Sequence, residues 1–120
     1  MNFVYPLGSG SVWSDMELFI SIKLLRKHYR GNANVIVSGE TPKMDVGADL
    51  ILNTSIEGSR YIKSTHNLEE AAKTIMEPFV IMNDDFYCVK DFTDLKLWYD
   101  GTITERIQRA TSPVYRKALH

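Results

Sequence analysis

Short apolar runs that alternate with amphipathic segments are the feature that most constrains the fold of this 120-residue chain. Each run is too short to be a helix, and the runs lie at 2–7, 34–40, 48–53 and 79–82. Nearly continuous apolar strands need cover on both faces, as strands of parallel sheets do. The order strand, helix, strand, strand, helix, strand therefore predicts an α/β fold, a three-layer α/β/α sandwich around a mostly parallel, Rossmann-like sheet.

The first predicted helix follows a Gly/Ser loop. Ser14 and Glu17 have the spacing of a capping box, which marks a helix start. Apolar side chains then recur at i, i+4 and i+7, at Leu18, Ile22 and Leu25. We expect this stripe to pack against the sheet.

The second predicted helix lies between a polar segment and the last apolar run. Residues 54–66 are polar and irregular, which predicts a surface loop. Asn67 and Glu70 repeat the capping-box spacing, and Pro78 ends the helical pattern. The run 79–82 then reads as the most buried strand of the sheet.

The chain divides into a body and a tail. Residues 1–101 contain the predicted α/β domain. Thr102 and Glu105 form a third capping box, so residues 102–120 predict a C-terminal helical tail. The length fits one domain with a modest core rather than two.

Charge and cysteine content narrow the partners and the compartment. The formal net charge is -1, which lacks the basic footprint of a nucleic-acid-binding protein. No stretch approaches the roughly 18 consecutive apolar residues of a membrane span, and no signal-peptide pattern opens the chain. The single Cys88 cannot form an internal disulfide. These features predict a cytoplasmic protein with no nucleic-acid partner and no membrane span.

Three polar segments follow strands that would end at the same edge of a parallel sheet, where ligands usually bind. They are GSGSVWSD at 8–15, SGETP at 38–42 and NDD at 83–85. Gly8 and Gly10 permit close approach of a diphosphate, and a helix start near Asp15 presents free backbone N–H groups. The first segment is therefore a candidate phosphate loop.

The adjacent acids Asp84 and Asp85 follow an apolar strand. A carboxylate near low-dielectric surroundings is costly unless it is paired or binds a metal. Mn²⁺ or Mg²⁺ typically takes one or two carboxylates plus substrate phosphates, and the Asn83 amide can add an oxygen. The alternative is structural: Asp84 caps a turn and Asp85 is solvated.

The stretch NDDFY at 83–87 resembles the acidic metal motif of nucleotide-diphospho-sugar transferases of the GT-A fold. The segment SGSVWSDMELFISIKLLRKHYRGNANVIVSGETP, at 9–42, is similar to one shared by Stealth-type sugar-phosphate transferases and by bacterial and phage glycosyltransferase-like proteins. The resemblance implies that a nucleotide sugar donates its sugar, or a sugar phosphate, to a hydroxyl acceptor. It implies metal binding by Asp84 and Asp85, with Asp85 also the candidate catalytic residue. The residues that it implies for the nucleotide-sugar pocket are Gly8, Ser9, Gly10, Trp13, Asp15 and Glu17. Asn83 of the acidic turn is a further substrate-binding candidate.

The residues allow two interpretations of Trp13, of the pair Trp98 and Tyr99, and of the chain as a whole. Trp13 can stack on a base or sugar, or it can be a packing lid over the sheet. Trp98 and Tyr99 can form an acceptor platform, or they can pack in the core or an interface. The competing hypothesis to an enzyme is a non-catalytic GT-A-like binding or assembly module. A chain of this length leaves little room for an acceptor site, so we expect activity to require a homo-oligomer or a further C-terminal portion.

Overall fold

A computed structural model describes residues 1–8 and 15–93 of the chain. These residues form a small α/β domain with a four-stranded, all-parallel sheet and two helices, compatible with a Rossmann-like fold. The predicted order of elements is confirmed. In chain order they are β1 Asn2–Leu7, α1 Met16–His28, β2 Asn34–Gly39, β3 Leu50–Asn53, α2 Arg60–Ile75 and β4 Phe79–Ile81.

Several predictions fall on the remaining residues. Ser9, Gly10, Trp13 and Ser14 lie outside the described part of the chain. So do the boundary at residue 101, the helical tail at 102–120, and the residues Trp98 and Tyr99. These predictions stay predictions.

The strands are ordered β3-β2-β1-β4 across the sheet. This is the neighbour order of the first four strands of a doubly wound α/β sheet. The chain builds outward from β1 to β2 and β3, then returns to place β4 on the other side of β1. The strand order therefore reverses between β1 and β4, and the crevice beyond their carboxyl ends is where such sheets bind ligands.

Alternate residues of β1 belong to two separate hydrophobic clusters. Phe3 and Tyr5 pack with Leu18, Ile22 and Leu25 of α1, which confirms the predicted stripe. The other cluster contains side chains from β1, β2 and α2, namely Val4, Ile36 and Ala71. Because successive side chains of a strand point to opposite faces, the two clusters lie on opposite faces of the sheet.

The two outer strands of the described sheet are less buried than their apolar sequences predict. β4 was expected to be the most buried strand, but Ile81 is 53% exposed and the strand pairs only with β1. On the opposite edge, Leu50 and Ile51 of β3 are 41% and 44% exposed. The fully buried strand residues belong to β1 and β2. A short apolar run does not reveal whether its strand is central or at an edge.

One helix begins where the sequence predicts and the other does not. α1 begins at Met16 with Asp15 as its N-cap, in a left-handed conformation and without a side-chain cap hydrogen bond, which confirms the predicted start near Asp15. α2 begins at Arg60, with the Ser59 hydroxyl accepting a hydrogen bond from the backbone N–H of Ile62. The surface loop predicted over 54–66 is therefore wrong for residues 60–66.

Asn67 does not cap α2 but lies in its middle. It is 3% exposed, and its backbone carbonyl accepts a hydrogen bond from the Ser38 hydroxyl over 2.7 Å. The capping-box pattern misled because Glu70 is simply a helix-surface residue that pairs with Lys73. Within the described residues, neither helix is long and apolar enough to cross a membrane.

Candidate functional site

A cavity of about 480 Å³ lies at the crevice between the ends of β1 and β4. Gly8 lines it directly after β1, and Asn83, Asp84 and Asp85 line it after β4. The predicted meeting of the first and third polar segments thus occurs for these four residues. The remaining lining residues come from β1 and from α2 and the loop before it: Pro6, Gly58, Arg60, Lys63, Ser64 and Asn67.

Pro6 lies where β1 and β4 separate, and it makes the separation less costly. β4 pairs with β1 only from Asn2 to Val4, and the backbone N–H of Met82 donates to the Val4 carbonyl over 2.8 Å. Backbone polar groups two residues apart on a strand point to the same edge, so Pro6 faces the side that β4 has left. Proline has no N–H to pair there. The strands therefore separate without an unsatisfied donor from Pro6, and the cavity forms between them.

The two adjacent acids occupy the centre of a turn. The backbone N–H of Phe86 donates to the Asn83 carbonyl over 3.0 Å, which places Asp84 and Asp85 between the ends of that hydrogen bond. Asp84 is half-buried and Asp85 is exposed. Part of the structural alternative is therefore present, since the acids do shape a turn, but both also line the cavity.

Negative charge concentrates around Asp84. Burial raises the pKa of its carboxyl above the ordinary value, and the nearby charges of Glu17, Asp85 and Asp15 raise it further. The acidic residues of the helix start and of the turn are thus close enough to repel one another. A divalent cation or a proton would relieve this repulsion.

Asp15 has a different position from the one expected. It is not among the residues lining the cavity, and its Oδ2 accepts a hydrogen bond from the backbone N–H of Lys43 over 2.8 Å. It is buried at the start of α1. Asp15 therefore joins the helix start to the segment after β2. Its contribution to the site is its negative charge, which raises the pKa of Asp84.

The α2 side of the cavity is what sequence reasoning missed. Arg60, Lys63, Ser64 and Asn67 line it, although residues 60–66 were expected to form an irregular loop. The available signal was their spacing of i, i+3, i+4 and i+7, which places them on one face of a helix. That face is polar, so a search for apolar periodicity overlooks it.

A tether fixes the turn from the opposite side. The Tyr5 hydroxyl lies 2.8 Å from Ser21 Oγ, and Ser21 in turn donates to the carbonyl oxygen of Phe86. Because a serine hydroxyl has one proton, Ser21 accepts from Tyr5 while it donates to Phe86. Burial raises the pKa of Tyr5 to about 12, so the phenol keeps its proton.

The described residues include no group of three or more His, Cys, Asp or Glu side chains that could hold a metal ion alone. Asp84 and Asp85 can therefore hold Mn²⁺ or Mg²⁺ only as part of a set that includes ligand oxygens. That arrangement is the usual one for Mg²⁺, which binds through one or two carboxylates plus substrate phosphates. The donor set fits a cation delivered with a phosphate ligand.

Comparison with known proteins adds no relative: no family model, no curated protein and no solved structure matches the chain. The resemblance to GT-A transferases therefore rests on the segments quoted above.

Proposed function

We propose that this protein binds a nucleoside-diphosphate sugar with Mn²⁺ or Mg²⁺ and transfers the sugar, or a sugar phosphate, to a hydroxyl acceptor. The observation that carries the proposal is the shared cavity, which Gly8 lines after β1 and which Asp84 and Asp85 line after β4. Its position at the reversal of strand order also supports a ligand site. In this proposal the domain is the nucleotide-sugar-binding half of a GT-A-like three-layer sandwich.

The cation would lie at the Asp84–Asp85 turn. The charges of Glu17 and Asp85 near the Asp84 carboxyl support this placement, because a dication compensates for their repulsion. When bound, the ion would neutralise charge that develops on the leaving diphosphate. Asn83 lines the same cavity and can add a polar contact to the donor.

The transfer step needs an acceptor hydroxyl. Its oxygen would form a bond to the anomeric carbon while the bond from that carbon to the diphosphate oxygen breaks. The bonding electron pair would leave with the nucleoside diphosphate, and the proton of the acceptor would pass to water. In the sugar-phosphate variant, the acceptor oxygen would form a bond to the phosphorus that carries the sugar. The bond from that phosphorus to the bridging oxygen would break, and the nucleoside monophosphate would leave with the bonding electron pair. Asp85 is the proposed catalytic residue because its exposed carboxylate lines the cavity.

Calorimetric titration tests the binding half of this proposal. Uridine or guanosine diphosphate should bind the full chain in Mn²⁺, and Asp85→Ala should weaken that binding by about ten-fold or more, as loss of a charged ligand group does. Binding of equal strength after the metal is removed would contradict the cation assignment.

A non-catalytic binding module is the second candidate. The observation that favours it is the ordinary turn that Asp84 and Asp85 form, which gives both acids a structural role. Release of nucleoside diphosphate, or of nucleoside monophosphate in the sugar-phosphate variant, from a panel of nucleotide sugars separates the candidates. An enzyme should release it at a rate that Asp85→Ala lowers, whereas a module should release none from any donor.

The proposal also includes the cellular setting. The free thiol of Cys88 supports a reducing compartment, for which we propose the cytoplasm. We propose a homo-oligomer as the arrangement that would complete an acceptor site. Size-exclusion chromatography with light scattering would measure the oligomeric state.

A further inference from the structure

One face of α2 presents a polar stripe to the cavity. Arg60, Lys63, Ser64 and Asn67 recur at helical spacing and all line it. Asp84 and Asp85 line the same cavity from β4. The cavity therefore has a basic wall on α2 and an acidic wall on the turn.

The two walls do not neutralise each other. Among the residues that the structure describes, neither Arg60 nor Lys63 forms an ion pair or a side-chain hydrogen bond. The nearby charges acting on Asp84 all come from acids. As far as residues 1–8 and 15–93 are concerned, the two basic side chains therefore can contact a ligand that carries negative charge toward α2.

Asn67 provides a second, independent observation. Its side-chain Oδ1 accepts a hydrogen bond from the Thr54 hydroxyl over 2.9 Å, while its Nδ2 donates to no acceptor in the described part of the chain. The residue is only 3% exposed, and buried amide donors are rarely left without a partner. A ligand oxygen in the cavity that Asn67 lines would supply that partner.

We propose that this face of α2 is a phosphate-binding wall that holds the diphosphate through protein cations. Arg60 and Lys63 would make charge-assisted hydrogen bonds, and Ser64 and Asn67 would add neutral donors. The first turn of α2 favours the same ligand, because its backbone N–H end carries partial positive charge. The assignment of the anion to a donor diphosphate rests on the proposed function, with a cation opposite at Asp84.

This arrangement makes the effect of Asp84 depend on metal. Without a cation, the Asp84 carboxylate repels the phosphate that α2 attracts, so Asp84→Asn should strengthen anion binding. With Mn²⁺ present, the same substitution removes a metal ligand and should weaken binding. If the metal alone held the diphosphate, we would expect no binding in the absence of a cation.

The test is calorimetric titration of the full chain with pyrophosphate, once in EDTA and once in Mn²⁺. In EDTA, we expect Arg60→Gln and Lys63→Gln each to weaken binding by about ten-fold, and Asp84→Asn to strengthen it by about two-fold or more. The matched control is Lys73→Gln, which removes an exposed lysine of the same helix outside the cavity. It should leave affinity unchanged, and thermal unfolding should show that all variants fold.

The outcomes separate the two proposals. Pyrophosphate binding in EDTA that depends on Arg60 and Lys63 supports the phosphate-binding wall. If Asp84→Asn then has no effect in Mn²⁺, that result refutes only the cation site. Binding that requires Mn²⁺ and Asp84 but not Arg60 or Lys63 overturns the wall and leaves the proposed function intact. An equal loss in Lys73→Gln overturns the wall as well, because it would show a non-specific charge effect.

Discussion

Ser21 Oγ donates a hydrogen bond of 2.5 Å to the carbonyl oxygen of Phe86, which ties α1 to the segment directly after Asp85. The Tyr5 hydroxyl completes the chain by donating to Ser21. The acidic turn is thereby connected to β1, in the buried centre of the sheet, and to α1.

Ser21→Ala should therefore lower the free energy of unfolding by about 1–3 kcal/mol, because it leaves the Tyr5 hydroxyl and the Phe86 carbonyl without their partner. Tyr5→Phe, which removes one hydroxyl and keeps the ring, should cost less, about 0.5–1.5 kcal/mol. Urea denaturation of both variants measures the difference. A Ser21→Ala protein as stable as the parent would contradict the proposed tether.

Two glycines at the carboxyl edge of the sheet offer a matched comparison. A Cβ at Gly39, where φ is +137°, would lie 2.1 Å from the Leu7 carbonyl oxygen and 2.7 Å from Asn67 Nδ2. A Cβ at Gly8 would meet no atom of residues 1–8 and 15–93 within 4 Å. Gly39→Ala should destabilise the protein by about 3 kcal/mol or more, since a strained backbone and a clash combine.

Gly8→Ala should change stability by less than about 0.5 kcal/mol. If the phosphate approaches Gly8 closely, the same substitution should weaken nucleotide binding, because the added methyl group would meet the ligand rather than the protein. Thermal unfolding and calorimetry on the two alanine variants measure both effects. Unchanged nucleotide affinity in Gly8→Ala would remove Gly8 from the binding site.

Asp84→Asn should stabilise the protein in the absence of metal while it weakens nucleotide binding in Mn²⁺. The pKa of Asp84 is raised by burial and by its acidic neighbours, so the charged carboxylate costs stability above that pKa. We expect a gain of at most about 1 kcal/mol at pH 7, because the side chain is only half-buried and solvent screens the repulsion.

The gain from Asp84→Asn should disappear below the ordinary aspartate pKa, where the carboxyl is protonated in both the folded and the unfolded chain. Thermal unfolding at pH 7 and about pH 3 measures this dependence. Glu69→Gln, which removes an exposed acid of α2, is the control. If Asp84→Asn destabilises the protein at pH 7, the carboxylate has a structural role that this interpretation lacks.

Asp91→Asn should change the stability at pH 7 in the opposite direction to Asp84→Asn. Asp91 lies 2.9 Å from His28 Nδ1 and 2.7 Å from Arg30, and these hydrogen bonds lower the pKa of its carboxyl. Its charged form is therefore stabilising, fully so above the ordinary aspartate pKa, and the contribution is lost as pH falls through the lowered value. The variant should melt earlier than the parent at pH 7 and together with it at about pH 2. A difference that persists at low pH would show that charge is not the cause.

Apolar periodicity predicted those features of the fold that depend on which face of a helix or strand is buried. The order of elements and the stripe Leu18, Ile22 and Leu25 followed from apolar spacing, because each helix must cover the sheet. The meeting of Gly8 with the acidic turn followed from the rule that parallel strands end at one edge. These inferences need only local pattern and sheet geometry.

The start of α2 depended on interactions that no local pattern contains. Ser59 caps the helix without a glutamate three residues later. Asn67 has the sequence pattern of a cap, but it lies buried within the helix and accepts hydrogen bonds from Ser38 and Thr54. Because the start of α2 was predicted wrongly, the basic wall was not predicted either. In a sequence, a polar helix face that lines a cavity has the composition of a surface loop. The exposure of β3 and β4 likewise depends on strand order rather than on composition.

The central claim is that one cavity holds a cation at Asp84 and Asp85 together with a nucleoside diphosphate. A crystal structure of the full chain with uridine diphosphate and Mn²⁺ tests it most directly, because anomalous scattering locates the ion. The account predicts Mn²⁺ in contact with both carboxylates and the diphosphate between them and Arg60. A nucleotide bound outside this cavity, or an ion without contact to either aspartate, would contradict it.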